Sequence, residues 1–479
     1  MKMIYHVEDK PKFGRLIVFA IQQLLAIMAA TIVVPVITNG NTAAQAAEGV
    51  GTASGMSMAA ALFGAGVGTL VYLLFTKFKS PVFLGSSFAF LGSMAAAFAG
   101  AISAQLGYLG LILGAVCAGL VYVVIAVLVK LVGVNWINKL MPAVVIGPTV
   151  AIIGLSLAGS AVGDLQTAPA GGSVYAAIVC GLVTLAVTMI CSVYGKGFIK
   201  MIPFVMGILA GYCLSVILTL FGTATNNPEL MVISFEPFKE LTANGVNFST
   251  FLAVPEFTFV EAIKGVKDLD LPYVATIAVA YVPVAFVVFA EHVADHKNIS
   301  SIIERDLLKE PGLHRTLLGD GIGSMAGALF GGCPNTTYGE SIGCVAISRN
   351  ASVVTILTTS ILAMVIAFIN PFVAFLRTIP NCVMGGVCMA LYGFIAVSGL
   401  KMVQKVDLED NRNLFVVSAI LIAGIGGLSL TFGKVTITSI ACALILGILV
   451  NVMLSGKKPE QKAEDAPDEV PAAQTENVE

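Results

Sequence analysis

Apolar residues dominate the chain in long runs, and short polar stretches separate these runs. A transmembrane helix needs about 20 consecutive, predominantly apolar residues. Several runs meet this requirement directly: 16–37, 56–75, 108–128, 174–194, 202–221, 273–290, 414–431 and 435–454. The pattern therefore predicts an α-helical protein that crosses a membrane many times.

Further apolar segments are interrupted by glycine and proline: 81–100, 141–162, 317–331, 334–348, 352–369 and 372–397. Together with the eight direct runs, these six broken segments predict about fourteen spans. An even number of spans places both termini on one side, and most of the 26 Lys and Arg residues then fall on that side. Because cytoplasmic loops carry an excess of Lys and Arg, we expect both termini in the cytoplasm and the chain in the cell membrane.

Composition supports a membrane protein. Hydrophobic residues make up 57% of the chain and charged residues only 11%, whereas a soluble domain carries about 25% charged residues. The net charge of −2 gives no basic surface for nucleic acid. The nine cysteines form no CxxC or Cys/His cluster, and no nucleophile–base pair is visible. We therefore expect no enzyme, no catalytic residues, no metal and no cofactor.

The two halves of the chain share similar segments. MPAVVIG at 141–147 recurs as IPNCVMG at 379–385, and segment 81–90 has a counterpart in 334–343. Seven spans per half is an odd number, so the second copy must be inverted in the membrane, as in many transporters. The predicted fold is an all-α membrane protein of two inverted seven-span repeats, with extended segments breaking spans 3 and 10. Chance similarity among Gly- and Pro-rich stretches is the alternative.

The two broken segments indicate a binding site. FLGSSFAF at 83–90 and NTTYGESIG at 335–343 each follow a proline and contain glycine and hydroxyl residues. Non-helical backbone at membrane depth persists only against other protein or a cavity. Two such segments that enter from opposite faces would meet and direct free amides at a ligand. The alternative is a pair of re-entrant kinks that only serve packing.

Nearly all of the 28 Asp and Glu residues lie in loops or tails, and the exceptions are Glu291, Asp295, Asp320 and Glu340. Ionisable groups inside a membrane usually mark a substrate or ion path. Glu291 and Asp295 share one helix face because they are four residues apart. Carboxylates can accept two N–H donors from one ligand edge, which suits a neutral planar heterocycle and proton coupling. For two of these acids a purely structural interpretation is the alternative to a role in transport. Asp295 could lie at a helix end at the water interface, and Asp320 could lie at a helix start.

Two histidines flank the acid pair. His292 is either a proton relay or a core residue, and His296 is expected to face the following loop.

Four motifs carry a resemblance to a known family: LGSSFAF at 84–90, AEHV at 290–293, KEPGLHRTLLGDG at 309–321 and PNTTYGESIG at 334–343. With them the chain resembles the nucleobase–ascorbate transporter family, and most closely its bacterial uracil permeases, from residue 11 to residue 454. The resemblance implies a core domain of spans 1–4 and 8–11 and a gate domain of spans 5–7 and 12–14. The implied boundaries are 1–132 and 271–369 for the core, 133–230 and 370–456 for the gate, 231–270 for an extracytoplasmic loop and 457–479 for a disordered cytoplasmic tail.

The resemblance also implies a binding site. Glu291 and Glu340 would hydrogen-bond the base, the backbones of Phe88, Gly339 and Glu340 would complete the contact, and Tyr338 would line the pocket. Because a carboxylate buried at such a site should be protonated during import, we expect Glu291 and Asp295 to couple the proton, with Gln23, Asp320 and Ser341 as supporting residues.

This chain departs from the uracil permeases at three of these positions. Asp295 and Gln23 stand where those permeases often have His, and Ser341 replaces the usual Asn of the family. Asp295 and Asp320 match acids common in purine-type members, whereas Glu340 is the residue of the uracil type.

The implied function is import of a nucleobase, uracil, by symport with protons. Xanthine or another purine is the alternative within the family, and an anion exchanger of the same architecture is the alternative outside it. Such exchangers usually carry a folded C-terminal domain, and only a short polar tail follows Lys457. The expected partners are a nucleobase, protons and the lipid bilayer, with a homodimer left open and no nucleic acid.

Overall fold

The computed structural model describes residues 3–133, 142–169, 171–243, 245–432 and 435–455. The predicted tail at 457–479 lies outside the described residues. Regular structure is almost entirely helical. The helices are α1 Phe13–Ala47, α2 Met58–Phe75, α3 Leu91–Ala99, α4 Ala104–Val132, α5 Ala143–Ser156, α6 Ala158–Leu165, α7 Val174–Tyr194, α8 Phe198–Met201, α9 Pro203–Thr225, α10 Glu236–Thr242, α11 Phe248–Phe251, α12 Thr258–Gly265, α13 Leu271–Ile303, α14 Leu313–Gly331, α15 Gly339–Ser348, α16 Val353–Ile366, α17 Asn370–Thr378, α18 Asn381–Val403, α19 Asn411–Ile425 and α20 Ser439–Met453. The strands are β1 Leu84–Ser86, β2 Asn335–Thr337, β3 Leu430–Phe432 and β4 Val435–Ile437.

The described part of the chain contains 8 helices that are long and apolar enough to cross a membrane. They are α1, α2, α4, α5 with α6, α7, α9, α13 and α18. Shorter apolar helices are α3 with the 3-10 turn before it, α16, α19 and α20. The protein is a multi-pass membrane protein, as predicted, and the number of fourteen spans stays a prediction.

The order of elements repeats between the two halves. A long helix, a second helix, a short strand, a short helix and a further helix follow one another as α1, α2, β1, α3 and α4. The same order recurs as α13, α14, β2, α15 and α16. Strands β1 and β2 pair antiparallel, so the equivalent segments run in opposite directions. The fold is the predicted inverted repeat, with an extended segment in each half.

The helices pack as two groups, and close glycine contacts hold each group together. The first helix group consists of α1–α4 and α13–α16, and the second helix group consists of α5–α9 and α18–α20. In the first group, α14 packs against α2 and α4, and a Cβ on Gly64 would lie 2.4 Å from Gly327 O. In the second group, α18 packs against α5 and α7, and a Cβ on Gly399 would lie 2.2 Å from Ala151 N. Small residues allow helix backbones in a membrane to approach this closely. The predicted core and gate boundaries stay a prediction.

Residues 3–9, here called the N-terminal strap, pair with the chain that follows α15. Ala351 N donates to Tyr5 O (2.9 Å), and Val353 N donates to Val7 O (3.0 Å). The strap therefore holds the end of the helix whose first turn carries Glu340.

The strap also makes an ion pair that depends on pH. Glu8 contacts Arg305, and this hydrogen bond lowers the pKa of Glu8 below its ordinary value. The stabilisation is present above the unfolded-state pKa of about 4.3 and is lost as pH falls through the lower folded-state value. Because Glu8 is largely exposed, we expect less than about 1 kcal/mol.

Hydrogen exchange of the Ala351 and Val353 amides between pH 7 and pH 3 tests this prediction. Protection factors should fall at acid pH in the wild type and should already be lower at pH 7 in Glu8→Gln. Equal protection in both proteins at pH 7 would show that the ion pair contributes nothing to the strap.

Candidate functional site

Strands β1 and β2 lie inside the first helix group and form an antiparallel pair. Leu84 lies opposite Thr337, and Ser86 lies opposite Asn335. Beyond the ladder, Ser87 N donates to the carbonyl of residue 334 (2.9 Å). At the other end of the ladder, Tyr338 N donates to Phe83 O (3.2 Å). Pairing of this kind lowers the cost of unwound backbone at membrane depth, because the paired groups have protein partners.

Side chains from neighbouring helices hold both strands. The hydroxyl of Thr69 on α2 accepts from Leu84 N (2.9 Å). On the other strand, Asn335 N donates to Ser324 Oγ on α14 (2.9 Å), and its side-chain amide donates to Gly64 O (3.2 Å). The strand pair is therefore held in place by α2 and α14, which occupy equivalent positions in the two repeats.

Tyr338 lies against the middle and end of β1. Its hydroxyl donates to Ser86 O (2.8 Å). A Cβ on Gly85 would lie 2.3 Å from the Tyr338 ring, so only glycine leaves room for the ring here. The ring is buried and covers the strand pair on the side where α15 begins.

A helix begins directly after each strand. A 3-10 turn at Phe88–Phe90 leads into α3, and α15 begins at Gly339. The first N–H groups of a helix have no intrahelical acceptor, and the helix dipole makes this end a donor site. Glu340 lies in the first turn of α15. The two helix starts thus offer N–H donors next to a carboxylate.

Two further carboxylates come from α13. Glu291 and Asp295 are both half-buried, and Asp295 accepts a hydrogen bond from Thr337 Oγ1 at 2.7 Å. Their charges lie close enough to interact with one another and with Glu340. Within the described residues, none of the three carboxylates forms an ion pair with Lys or Arg. Such groups are costly in a membrane unless they bind a ligand or a proton.

These elements line one cavity of about 370 Å³ between the two helix groups. Its volume falls in the range of about 300–1,000 Å³ typical of small-molecule sites. One wall comes from the first helix group and is polar: Phe88, Glu291, Asp295, Thr337, Tyr338, Gly339 and Glu340. The other wall comes from the second helix group and is mainly apolar, with Ile153, Phe204, Leu391, Phe394 and Met402, and with Lys200 at an exposed position.

The sequence model of the Permease family matches residues 14–432. The chain belongs to the Permease family. Transport, not enzyme catalysis, is therefore its activity.

Curated relatives agree with this membership. The chain is 37% identical to the uracil permease of Bacillus subtilis (strain 168) over 464 residues, which cover 95% of this chain and 96% of that protein. It is 33% identical to the uracil permease of Escherichia coli (strain K12), over 96% of this chain and 97% of that protein. These matches confirm the resemblance to bacterial uracil permeases.

Solved structures agree on the fold alone. The transmembrane domain of the cyanobacterial bicarbonate transporter BicA matches with a TM-score of 0.59 and 15% identity, over 93% of this chain and 100% of that chain. The murine anion transporter Slc26a9 in the inward-facing state matches with a TM-score of 0.60 and 11% identity, over 93% of this chain and 69% of that chain.

The structure of this family member brings together all the residues predicted to bind substrate. Gln23 and Ser341, predicted to support them, lie behind the cavity. Gln23 Nε2 donates to Ser341 O (3.3 Å) and also contacts the Ser341 hydroxyl. That hydroxyl accepts from Phe83 N (3.2 Å). Gln23 and Ser341, two of the positions where this chain departs from the family pattern, therefore contact one another. Their hydrogen bonds connect α1 and α15 to the chain segment before β1.

The structure of this family member also corrects one expectation. His296 does not face the loop: it is fully buried, and its Nε2 lies 2.7 Å from Tyr72 Oη. The reason is that α13 continues to Ile303, well past the end of the apolar run at 290. Asp295 is consequently not at a helix end, and Asp320 lies within α14, not at its start.

Sequence reasoning missed two features of the site. Thr337 donates to Asp295, and the only signal was the run of hydroxyl residues in the broken segment. The apolar wall from the second helix group gave no signal, because residues such as Phe204 and Phe394 resemble any lipid-facing or core residue of an apolar span.

Proposed function

We propose that this protein imports uracil across the cell membrane by symport with protons, with both termini in the cytoplasm. The observation that carries the proposal is that Glu291 and Glu340, without a cationic partner among the described residues, line one cavity beside two helix starts. Relatives named uracil permease over nearly their full length support the choice of base.

The donors and acceptors of the cavity suit a neutral ring. Ionised carboxylates of Glu291 and Glu340 only accept hydrogen bonds, so they pair with ring N–H groups. Backbone N–H groups at the two helix starts, Phe88 and Gly339, can only donate, so they pair with ring carbonyl oxygens. Uracil presents N–H and C=O groups side by side along its edge, whereas an anion would be repelled by the carboxylates.

The proton is assigned to Glu291 and Asp295. They lie one helical turn apart on α13 and both line the cavity. Two carboxylates this close titrate as a coupled unit. Base and proton would thus bind at adjacent places on one helix and would cross the membrane together.

In this proposal the cavity releases the base to the cytoplasm. The cavity lining includes the exposed residue Lys200 in α8. We place this residue on the cytoplasmic side of the membrane, where most Lys and Arg residues are predicted. In this proposal the first helix group carries base and proton past the second, and the cavity is open to the inside.

Xanthine is the second candidate, and Asp295 favours it. This residue lines the cavity at a position where purine-type members also carry an acid. Glu340 weighs more heavily because it stands at the helix start, where its carboxylate would contact the base.

A competition panel against labelled uracil uptake into proteoliposomes tests the proposal. Unlabelled uracil and 5-fluorouracil should compete, and xanthine, uric acid and guanine should not. Liposomes without protein give the background, and a proton gradient is imposed in one arm. Saturable xanthine uptake without uracil uptake would overturn the substrate and leave the cavity assignment intact.

A further inference from the structure

A second cluster of ionisable side chains lies outside the cavity, where α13 meets α14. His292 is 0% exposed and Asp320 is 1% exposed, and neither lines the cavity. His292 Nδ1 lies 2.7 Å from Asp320 Oδ2, and His292 Nε2 lies 3.0 Å from Thr316 Oγ1. Both ring nitrogens therefore have a protein partner.

The hydrogen bonds of the Thr316 hydroxyl bear on which ring nitrogen of His292 carries a hydrogen. Thr316 Oγ1 donates its only hydrogen to Leu313 O (3.0 Å). With its hydrogen on Leu313 O, the hydroxyl accepts from His292 Nε2, and this assignment puts the hydrogen of a neutral His292 ring on Nε2. His292 Nδ1 is left with a lone pair that points at Asp320 Oδ2. Two lone pairs at 2.7 Å repel each other, so a hydrogen must lie between these atoms.

We infer that His292 and Asp320 hold one buried proton, carried on Asp320 Oδ2 and donated to His292 Nδ1. Asp320 Oδ1 is buried and has no hydrogen-bond partner within the described residues. An ionised carboxylate would leave this charged oxygen unpaired in the interior, which is costly, whereas in the acid form Oδ1 is an ordinary carbonyl oxygen.

The charged and titratable groups around the pair agree with a neutral acid. Tyr122 of α4 packs edge-on against the His292 ring at 6.1 Å, and the His296 ring stacks on it at 4.0 Å. Glu291 and Asp295 on α13 interact electrostatically with Asp320, as does Tyr72 of α2. No Lys or Arg of the described residues forms an ion pair with Asp320. Among the described residues, a negative charge on Asp320 beside a neutral His292 would therefore face other acids and no Lys or Arg.

The pair is a proton site distinct from the cavity. Its proton is enclosed by α4, α13 and α14 and stays in place when the base binds. Its role is to keep the contact between α13 and α14 uncharged, so that α13 can hold Glu291 and Asp295 without a third negative charge behind them.

Infrared difference spectroscopy of the purified, ligand-free protein at pH 7 tests the inference directly. The spectrum of wild type minus Asp320→Asn should contain a carboxylic-acid C=O band that shifts in D₂O. The spectrum of wild type minus the matched control Glu409→Gln, at an exposed loop position, should not contain this band. Loss of ionised carboxylate bands in Asp320→Asn would overturn the inference. This measurement uses no ligand, so its outcome does not depend on the proposed substrate.

Two further measurements keep the inference testable. Thr316→Val removes the acceptor of His292 Nε2, so the acid band should move, and an unmoved band would contradict the hydrogen-bond assignment. Calorimetry of uracil binding in buffers of different ionisation enthalpy counts the protons taken up with the base. Asp320→Asn should bind within about threefold of wild type with the same proton count, because its amide can donate to His292 Nδ1 in the same way. A proton count lower by one would show that the pair exchanges its proton.

Discussion

Replacing Glu340 or Glu291 by alanine is expected to weaken uracil binding by about ten- to a hundredfold. Each carboxylate lines the cavity and would accept a ring N–H in a charge-assisted hydrogen bond. Loss of such a bond costs about 1.5–3 kcal/mol, which corresponds to that factor in affinity. Isothermal titration calorimetry on purified protein in detergent measures the change.

The control for this prediction is a carboxylate that cannot contact the base. Glu409 is exposed in the loop between α18 and α19, so Glu409→Ala should bind uracil as the wild type does. Thermal unfolding of all three variants should lie close to wild type, since the cavity carboxylates make no ion pair with Lys or Arg among the described residues. Unchanged affinity in both cavity variants would place the base elsewhere.

Much of the architecture follows from simple patterns in the sequence. Long apolar runs predict spanning helices. The segments that start at 81 and 334 each combine a proline, glycine and hydroxyl residues, and this composition predicts non-helical backbone inside the membrane. Glu291 and Glu340 stand out because acids are rare in apolar segments. The structure places these features in one cavity, since inverted repeats bring equivalent segments together from opposite directions.

Other features depend on distances that no local pattern encodes. Gln23 and Ser341 contact one another across more than 300 residues of chain, and each by itself looks like the loss of a family residue. His296 follows the end of an apolar run, which favours a loop position, yet a longer helix buries it against Tyr72. Tertiary packing of α2, α13 and α14 decides these cases.

The link between base and proton would pass through Thr337. This residue belongs to β2, so its position is fixed by the strand pair that also sets the two helix starts. Its hydroxyl donates to Asp295 (2.7 Å), one helical turn from Glu291. A change in the charge of Asp295 would therefore be felt at β2 and at the helix start that carries Glu340, which gives the proposed coupling a physical route.

Asp295→Asn is accordingly expected to retain uracil binding and to lose uphill accumulation. The side-chain carbonyl of asparagine can still accept from Thr337, so the geometry of β2 is kept, but an amide cannot take up and release a proton near neutral pH. In proteoliposomes with an inward proton gradient, accumulation should fall at least about tenfold. This factor corresponds to about 1.4 kcal/mol of lost driving force.

Exchange of labelled for unlabelled uracil without a gradient separates coupling from movement. Exchange needs the carrier to move with the base but needs no net proton transfer, so Asp295→Asn should still exchange. Thr337→Val is the matched variant, because it removes the hydrogen bond and keeps the carboxylate, and it should weaken binding without abolishing accumulation. If Asp295→Asn concentrates uracil like the wild type, Asp295 only supports β2, and Glu291 alone remains to carry the proton.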